Sequence, residues 1–249
     1  LQDIHDVESI DIFTTSDDTH VSWPNHDVDI RNKEPTQQVI TDVDPDVLIH
    51  AAAQTKVQHS VNDPVMDAET NILGTINVLE ALEATGASKI IYFTTGGARY
   101  GDKQHLPISE DALPQPQSPY GISKYAAEHY VRYYAERNDW EQTSLGFSNV
   151  YGPYDTPKSG RVIPPVITQS LRGEKPTIHG DGEQTRDFLY AHDIVSVVQT
   201  IIHDEPPATF YNLSANTQTS INELAEHLET IIEPDVTADH GDARSGGVR

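Results

Sequence analysis

The run DPVMDAETNILGTINVLEALEATGASKIIYFTT, Asp63 to Thr95, decides the fold class. Apolar residues at Val65, Ile72, Val78, Leu79 and Leu82 have the spacing of one helix face over Asp63 to Thr85, and Gly86 is a stop. The run then closes on KIIYFTT, Lys89 to Thr95, an apolar, β-branched and aromatic block of the kind buried on both faces of a sheet. DVLIHAAA, Asp46 to Ala53, has the same texture upstream, so the order is strand, helix, strand and the sheet is expected to be parallel.

Working outward, SIDIFTT (Ser9 to Thr15) reads as a further buried strand. Downstream, Ser118 offers an N-cap hydroxyl and Pro119 a first helical residue, which predicts a helix from there to about Arg137. SLGFSNV (Ser144 to Val150) is predicted as another buried strand. Beyond Val150 the proline-rich PYDTPKSGRVIPP marks a lobe boundary or a substrate loop. Helices are expected over Ile163 to Arg172 and Ala191 to His203, and a strand over Thr209 to Ser214. A last helix follows the capping box formed by Ser220 and Glu223 and runs to about Ile232. Alternation of this kind predicts a doubly wound α/β fold.

Composition narrows the function. The 249 residues carry 39 acidic against 16 basic side chains, a formal charge of -23, which repels nucleic-acid backbones and anionic membrane surfaces. The acids are spread along the chain, a solvated surface style that resembles the proteins of salt-loving archaea and predicts a halophilic source. With no cysteine, disulfides, thiolate metal sites and cysteine nucleophiles are excluded from these residues. The twelve histidines show no metal-binding spacing such as HExxH. No apolar run approaches the length of a membrane span, so a soluble, cytoplasmic protein is expected.

The chemistry-bearing stretch is SPYGISKYAAEHY, Ser118 to Tyr130. Tyr120 and Lys124 stand four apart and share a helix face. A cation near a phenol favours phenolate, which would let Tyr120 take a proton from a sugar hydroxyl and return it. The same pair is equally a tyrosine and a lysine on a solvated helix, and the spacing alone does not choose.

The surrounding motifs do choose. In order stand HAAAQ (His50 to Gln54), NILGTINVLEA (Asn71 to Ala81), FTTGGARYG (Phe93 to Gly101), SPYGISKYAAE (Ser118 to Glu128), SNVYGP (Ser148 to Pro153), GDGEQTRDFLY (Gly180 to Tyr190) and ARSGGVR (Ala243 to Arg249). This series resembles the extended short-chain dehydrogenase/reductases, specifically the NAD-dependent epimerases and dehydratases of nucleotide sugars, and among them the UDP-glucose 4-epimerases. The resemblance implies a Rossmann-like doubly wound sheet over residues 1–150, rejoined by 187–204, and a substrate lobe over 151–249. It also implies a homodimer paired through the helices Asp63 to Thr85 and Ser118 to Arg137.

Carried over by position, the resemblance implies that Tyr120 is the acid/base and that Lys124 holds the nicotinamide ribose and lowers the tyrosine pKa. A hydroxyl partner comes from the end of the preceding strand. Thr95 has the closest spacing and Thr94 is the alternative, because Gly96 and Gly97 leave the register open by one. NAD contacts are implied for Asp29, Ile30, Ala51, Ala52, Asn71 and Phe147 besides Tyr120 and Lys124. Nucleotide-sugar contacts are implied for Thr95, Asn149, Arg186 and Arg244, the arginines being suited to paired hydrogen bonds with phosphate oxygens. Substrate specificity is implied for the loop around Asp155 to Pro165.

Departures from the pattern are informative. The 4,6-dehydratases of the family place acids directly after the strand-end threonine, whereas this chain has Gly96 and Gly97, which disfavours dehydration. Arg99 stands where relatives have a small apolar residue, and three places are open to it: solvent, an acid, or the ligand. The family's glycine-rich phosphate loop has no counterpart, since no glycine precedes Gly74, and residue 1 is leucine. With the early stop after the last motif, the resemblance implies a fragment short at both ends.

Overall fold

The computed structural model describes residues 1, 2, 4–12, 23–102, 106–204, 206–232 and 238–242. In chain order they form β1 (Ser9–Asp11), β2 (Asn25–Asp27), α1 (Lys33–Val43), β3 (Val47–His50), α2 (Val57–Asn62), α3 (Pro64–Ala68), a π-turn (Glu69–Leu73), α4 (Gly74–Leu82), β4 (Lys89–Thr95), α5 (Gly97–Tyr100), α6 (Pro119–Asn138) and β5 (Glu141–Phe147). There follow β6 (Asn149–Tyr151), α7 (Ile163–Leu171), β7 (Thr177–His179), β8 (Thr185–Arg186), β9 (Phe188–Tyr190), α8 (Ala191–His203), β10 (Phe210–Leu213), β11 (Thr219–Ser220), α9 (Ile221–Ile231) and β12 (Asp239–Gly241). The chain divides into two compact units, 1–101 with 108–146 and 195–212, and 102–107 with 147–194 and 213–249.

The first unit is an α/β layer structure around a sheet in the order β10-β5-β4-β3. β3 and β4 pair in parallel, Val47 opposite Lys89 and His50 opposite Tyr92, so the helices between them are the crossover connection such a pair requires. KIIYFTT is β4 from end to end and is buried over most of its length. β3 sits at the sheet edge and is only half-buried. β1 departs further from expectation. Only Ser9–Asp11 is strand among the described residues, it pairs with β2 alone, and it is partly exposed rather than buried on both faces. A two-stranded ribbon has no second layer to cover its outer face.

The expected helix over Asp63 to Thr85 is α3, the π-turn and α4 end to end, started by the Asp63 carboxylate accepting from Met66 N–H. Val78, Leu79 and Leu82 of α4 enter a core with Ile30, Ile40, Ile90, Tyr92 and Val131. α1, which carries Ile40, was not expected, because its sequence KEPTQQVITDV offers little apolar periodicity and has an internal proline.

β4 opens on a buried cation. Lys89 Nζ donates to the carbonyls of Ile201 (2.7 Å), Ile202 and Asp204 at the end of α8 and pairs with Glu141 at 2.7 Å. Its charge meets the negative end of the helix dipole and occupies carbonyls that the helix leaves without partners. Lys89→Met is expected to lower unfolding stability by about 2 kcal/mol, read from urea denaturation, because it strands those carbonyls and the glutamate.

The described residues of the second unit form three two-stranded pairs: β6 with β9 in parallel, β7 with β12 in parallel, and β8 with β11 antiparallel. Ile178, Ile221 and Ala225 form its core with Val162 and Phe188 packed against them. The capping box of α9 is complete: Ser220 Oγ accepts from Glu223 N–H while the Glu223 carboxylate accepts from Ser220 N–H. Among the described residues, no helix is long and apolar enough to cross a membrane.

Candidate active site

α6 is placed by its own first turn. Ser118 Oγ accepts from Gly121 N–H at 3.1 Å and Pro119 occupies the first helical position. Ser60 Oγ accepts from Tyr120 N–H at 3.0 Å, tying the tyrosine to the end of α2. Gly121 is required here: a Cβ would stand 2.5 Å from Ala98 O, so only glycine lets the helix approach the chain leaving β4.

One turn on, Lys124 is 2% exposed. Its Nζ lies 4.3 Å from the centre of the Tyr92 ring, whose hydroxyl donates to Lys124 O. Burial pulls the ammonium pKa down to about 7, and the fields of Asp67 and Glu128 oppose that pull without cancelling it. Among the described residues, no carboxylate lies within ion-pair distance of Nζ. His50 is buried beside Tyr92, with its pKa lowered to about 3 by burial and then by Lys124, so it is neutral. Thr75 Oγ1 gives its proton to Asn71 O at 2.7 Å, so the 2.8 Å contact with His50 Nε2 has the imidazole as donor.

The two threonines of β4 differ. Thr94 is buried on the strand face that carries Tyr92, whereas Thr95 is half-buried and its Oγ1 accepts from Ala98 N–H at 3.2 Å. Arg99 is 8% exposed and meets an acid, pairing with Glu128; its guanidinium carbon also sits 4.0 Å from the Phe210 ring centre and 4.8 Å from that of Tyr125. Its Nε is buried without a hydrogen-bond partner among the described residues.

The other candidates fall where they can be described one by one. Both oxygens of Asp29 are held by Arg31, which depresses the carboxyl pKa through that hydrogen bond, and Ile30 packs under Gly74. Ala51 and Ala52 follow β3 directly, Ala51 exposed and Ala52 packed against the core. Asn71, in the π-turn, accepts from Gln54 N–H and donates to Gln54 O, Asp67 and Ser123. Phe147 is the last residue of β5, and in the second unit Asn149 donates from its backbone to Asp187 O. Arg186 Nη1 donates to Thr185 O, and burial lowers the arginine pKa. A pocket of about 360 Å³ in the same unit is lined by Tyr151, Pro153, Asp155, Ile163, Ile167 and Tyr190. Arg244 lies outside the described residues.

Sequence reasoning passed over Gln54, Asp67 and Ser123, which converge on Asn71 directly below the Tyr120 turn. The one local signal was the four-residue spacing of Asp67 and Asn71, which aligns them on a helix face.

Residues 2–214 match the family model described as the NAD dependent epimerase/dehydratase family. Over 232 residues the chain is 37% identical to a putative UDP-glucose 4-epimerase of Methanocaldococcus jannaschii, covering 92% of this chain and 75% of that protein. It is 36% identical over 188 residues to the dTDP-D-glucose 4,6-dehydratase of Mus musculus, covering 76% of this chain but only 52% of the dehydratase. The crystal structure of a UDP-glucose 4-epimerase with UDP-glucose from Thermotoga maritima superposes with a TM-score of 0.93 at 31% identity, covering 100% of this chain and 81% of that one.

Proposed function

The chain belongs to the NAD dependent epimerase/dehydratase family, and from that premise we propose that it is a nucleotide-sugar epimerase inverting C4 of a UDP-hexose. The observation that carries the choice of reaction is the end of β4: Thr95 is followed by Gly96 and Gly97, so no carboxylate stands there to drive the elimination that a dehydratase performs. The similarity to UDP-glucose 4-epimerases over most of the chain supports the same reading.

The first unit, residues 1–101 with 108–146 and 195–212, would be the partial NAD-binding domain, and the second the substrate lobe. The donor set of the first suits a nicotinamide ribose. A buried ammonium with an aromatic face beneath it and no carboxylate at ion-pair distance is matched by neutral hydroxyl acceptors. Lys124 and Tyr120 would hold that ribose, with Asp29 and Ile30 at the adenine end and Ala51, Ala52, Asn71 and Phe147 completing the contacts. When bound, NAD supplies the reversible hydride acceptor for C4. Tyr120 takes the proton of the sugar 4-hydroxyl, Thr95 donates to the same oxygen, and Lys124 stabilises the phenolate. After the 4-keto sugar turns over so that hydride would come back to the opposite face of C4, Tyr120 returns the proton to O4, and the net redox change is zero.

In the second unit, Asn149, Arg186 and Arg244 would bind the nucleotide diphosphate, and the pocket beside Asp155 would select the substrate. Pairing with a second copy through the two helical segments is supported by exposed apolar residues on them, among them Val65, Leu73, Ile122 and Tyr133.

Product analysis by NMR tests the reading. A C4 epimer formed from a UDP-hexose with no lasting change in NADH absorbance supports it, and a 4-keto-6-deoxy sugar or net oxidation overturns it. Thr95→Ala is expected to slow inversion about 10- to 100-fold by removing one hydrogen bond that tightens in the transition state. Thr94→Ala, on the buried face, should act mainly on stability; the reverse ranking in steady-state rates would assign the role to Thr94.

A further inference from the structure

Beneath the turn that carries Tyr120 and Lys124 lies a closed polar cluster centred on a carboxylate. Asp67 of α3 is 1% exposed. Its Oδ2 accepts from Ser123 Oγ at 2.6 Å, and its Oδ1 from Gln54 Nε2 at 2.7 Å and Asn71 Nδ2 at 3.2 Å. Ser123, 2% exposed, lies between Tyr120 and Lys124 in the chain, stands 3.1 Å from Tyr120 O, and accepts from Asn71 Nδ2 at 3.0 Å. The π-turn begins two residues after Asp67 and contains Asn71, and such turns recur at functional sites because they re-aim the side chains they carry.

Burying a carboxylate costs several kcal/mol unless charge and hydrogen bonds compensate it. Three donors satisfy the hydrogen bonds of Asp67. Charge remains, since among the described residues no cation lies within ion-pair distance of it. The mirror image stands one turn along α6, where the Lys124 ammonium is buried without a carboxylate at that distance. We infer that Asp67 is the positioning residue of this site: through Ser123 it fixes the α6 turn that presents Tyr120, and its negative charge favours the ammonium form of Lys124.

The neighbours of Lys124 support the assignment. From β4 it faces Tyr92, and from β3 His50, neutral because its pKa is lowered to about 3, so neither supplies negative charge at neutral pH. Tyr120 shares its helix. Two carboxylates favour its protonation, Asp67 from α3 and Glu128 from α6. Glu128 is already paired with Arg99, which leaves Asp67 as the carboxylate of the two that has no cation at ion-pair distance among the described residues.

The role of the turn rests on the acid/base reading of Tyr120, but the test does not. Protein labelled with 13C,15N-lysine is titrated by heteronuclear NMR, the Lys124 signal being identified by its loss in Lys124→Met. Wild-type Lys124 is expected to titrate near pH 7, and Asp67→Asn to lower that midpoint by about one pH unit or more. Asp67→Glu, which keeps the charge, should restore it. A folded Asp67→Asn protein with an unmoved midpoint overturns the inference. If Asp67→Asn alone does not fold, the double variant with Lys124→Met decides. Recovery of folding shows that the unbalanced ammonium was at fault, and continued failure shows that Asp67 serves packing alone. Where inversion is measurable, its alkaline limb should move to lower pH in Asp67→Asn. An inactive wild type would count against the epimerase reading and leave the lysine titration standing.

Discussion

Tyr120→Phe is expected to lower the rate of C4 inversion by about 10²- to 10⁴-fold, the range attributable to a positioned proton-transfer group. The fold should survive, because the substitution keeps the backbone contacts at the start of α6: the Tyr120 N–H donates to Ser60 Oγ and its C=O lies 3.1 Å from Ser123 Oγ. Phenylalanine keeps both and removes only the phenolic oxygen. The loss should therefore appear in kcat, with substrate affinity changed little, when inversion is followed by NMR and binding by calorimetry. A variant retaining more than a tenth of wild-type turnover would remove Tyr120 from the acid/base role.

Lys124→Met is expected to move activity and stability in opposite directions. Methionine keeps most of the apolar stem over the Tyr92 ring and deletes an ammonium that is buried without an ion-pair partner. Activity should fall by about 10²-fold or more if Lys124 has its proposed roles, since both the proposed ribose contact and the cation favouring phenolate are lost. Stability should rise by on the order of a few kcal/mol near neutral pH. The sign follows from linkage: the folded-state pKa, about 7, lies below the ordinary 10.5, so between those values the unfolded chain binds more protons and wild-type stability rises with pH. The advantage of the variant is therefore full below pH 7 and fades to nothing by about pH 10.5. Urea denaturation of both proteins across that range measures it; an advantage independent of pH would place its origin in packing rather than charge.

Much of the first unit was legible because its signals are local. KIIYFTT carries enough consecutive apolar and β-branched residues to be a central strand on its own account, and it became one without a residue's shift. Ser118 and Pro119 specify a helix start within three residues, and the Ser220–Glu223 box does the same for α9. α1 and β2 were not legible. KEPTQQVITDV buries only Thr36 and Ile40, and NHD has no apolar residue, so both elements exist because neighbours pack or pair with them.

For the candidate site, the sequence by itself determined which side chains are the candidates. A tyrosine and a lysine one helical turn apart, after a strand ending in two threonines and two glycines, follow from residue order and the 3.6-residue helix period. Only the tertiary structure decided their electrostatics. Arg99 turned to Glu128 rather than to solvent, Lys89 to the carbonyls closing α8, and Asp67 to Ser123 across 56 residues of chain. Each outcome depends on which groups share a buried volume, and in a medium that screens charge weakly, that proximity sets whether a lysine holds its proton. Sequence spacing fixes distances along a helix; distances between helices, and the energies that scale with them, come into being only when the chain packs.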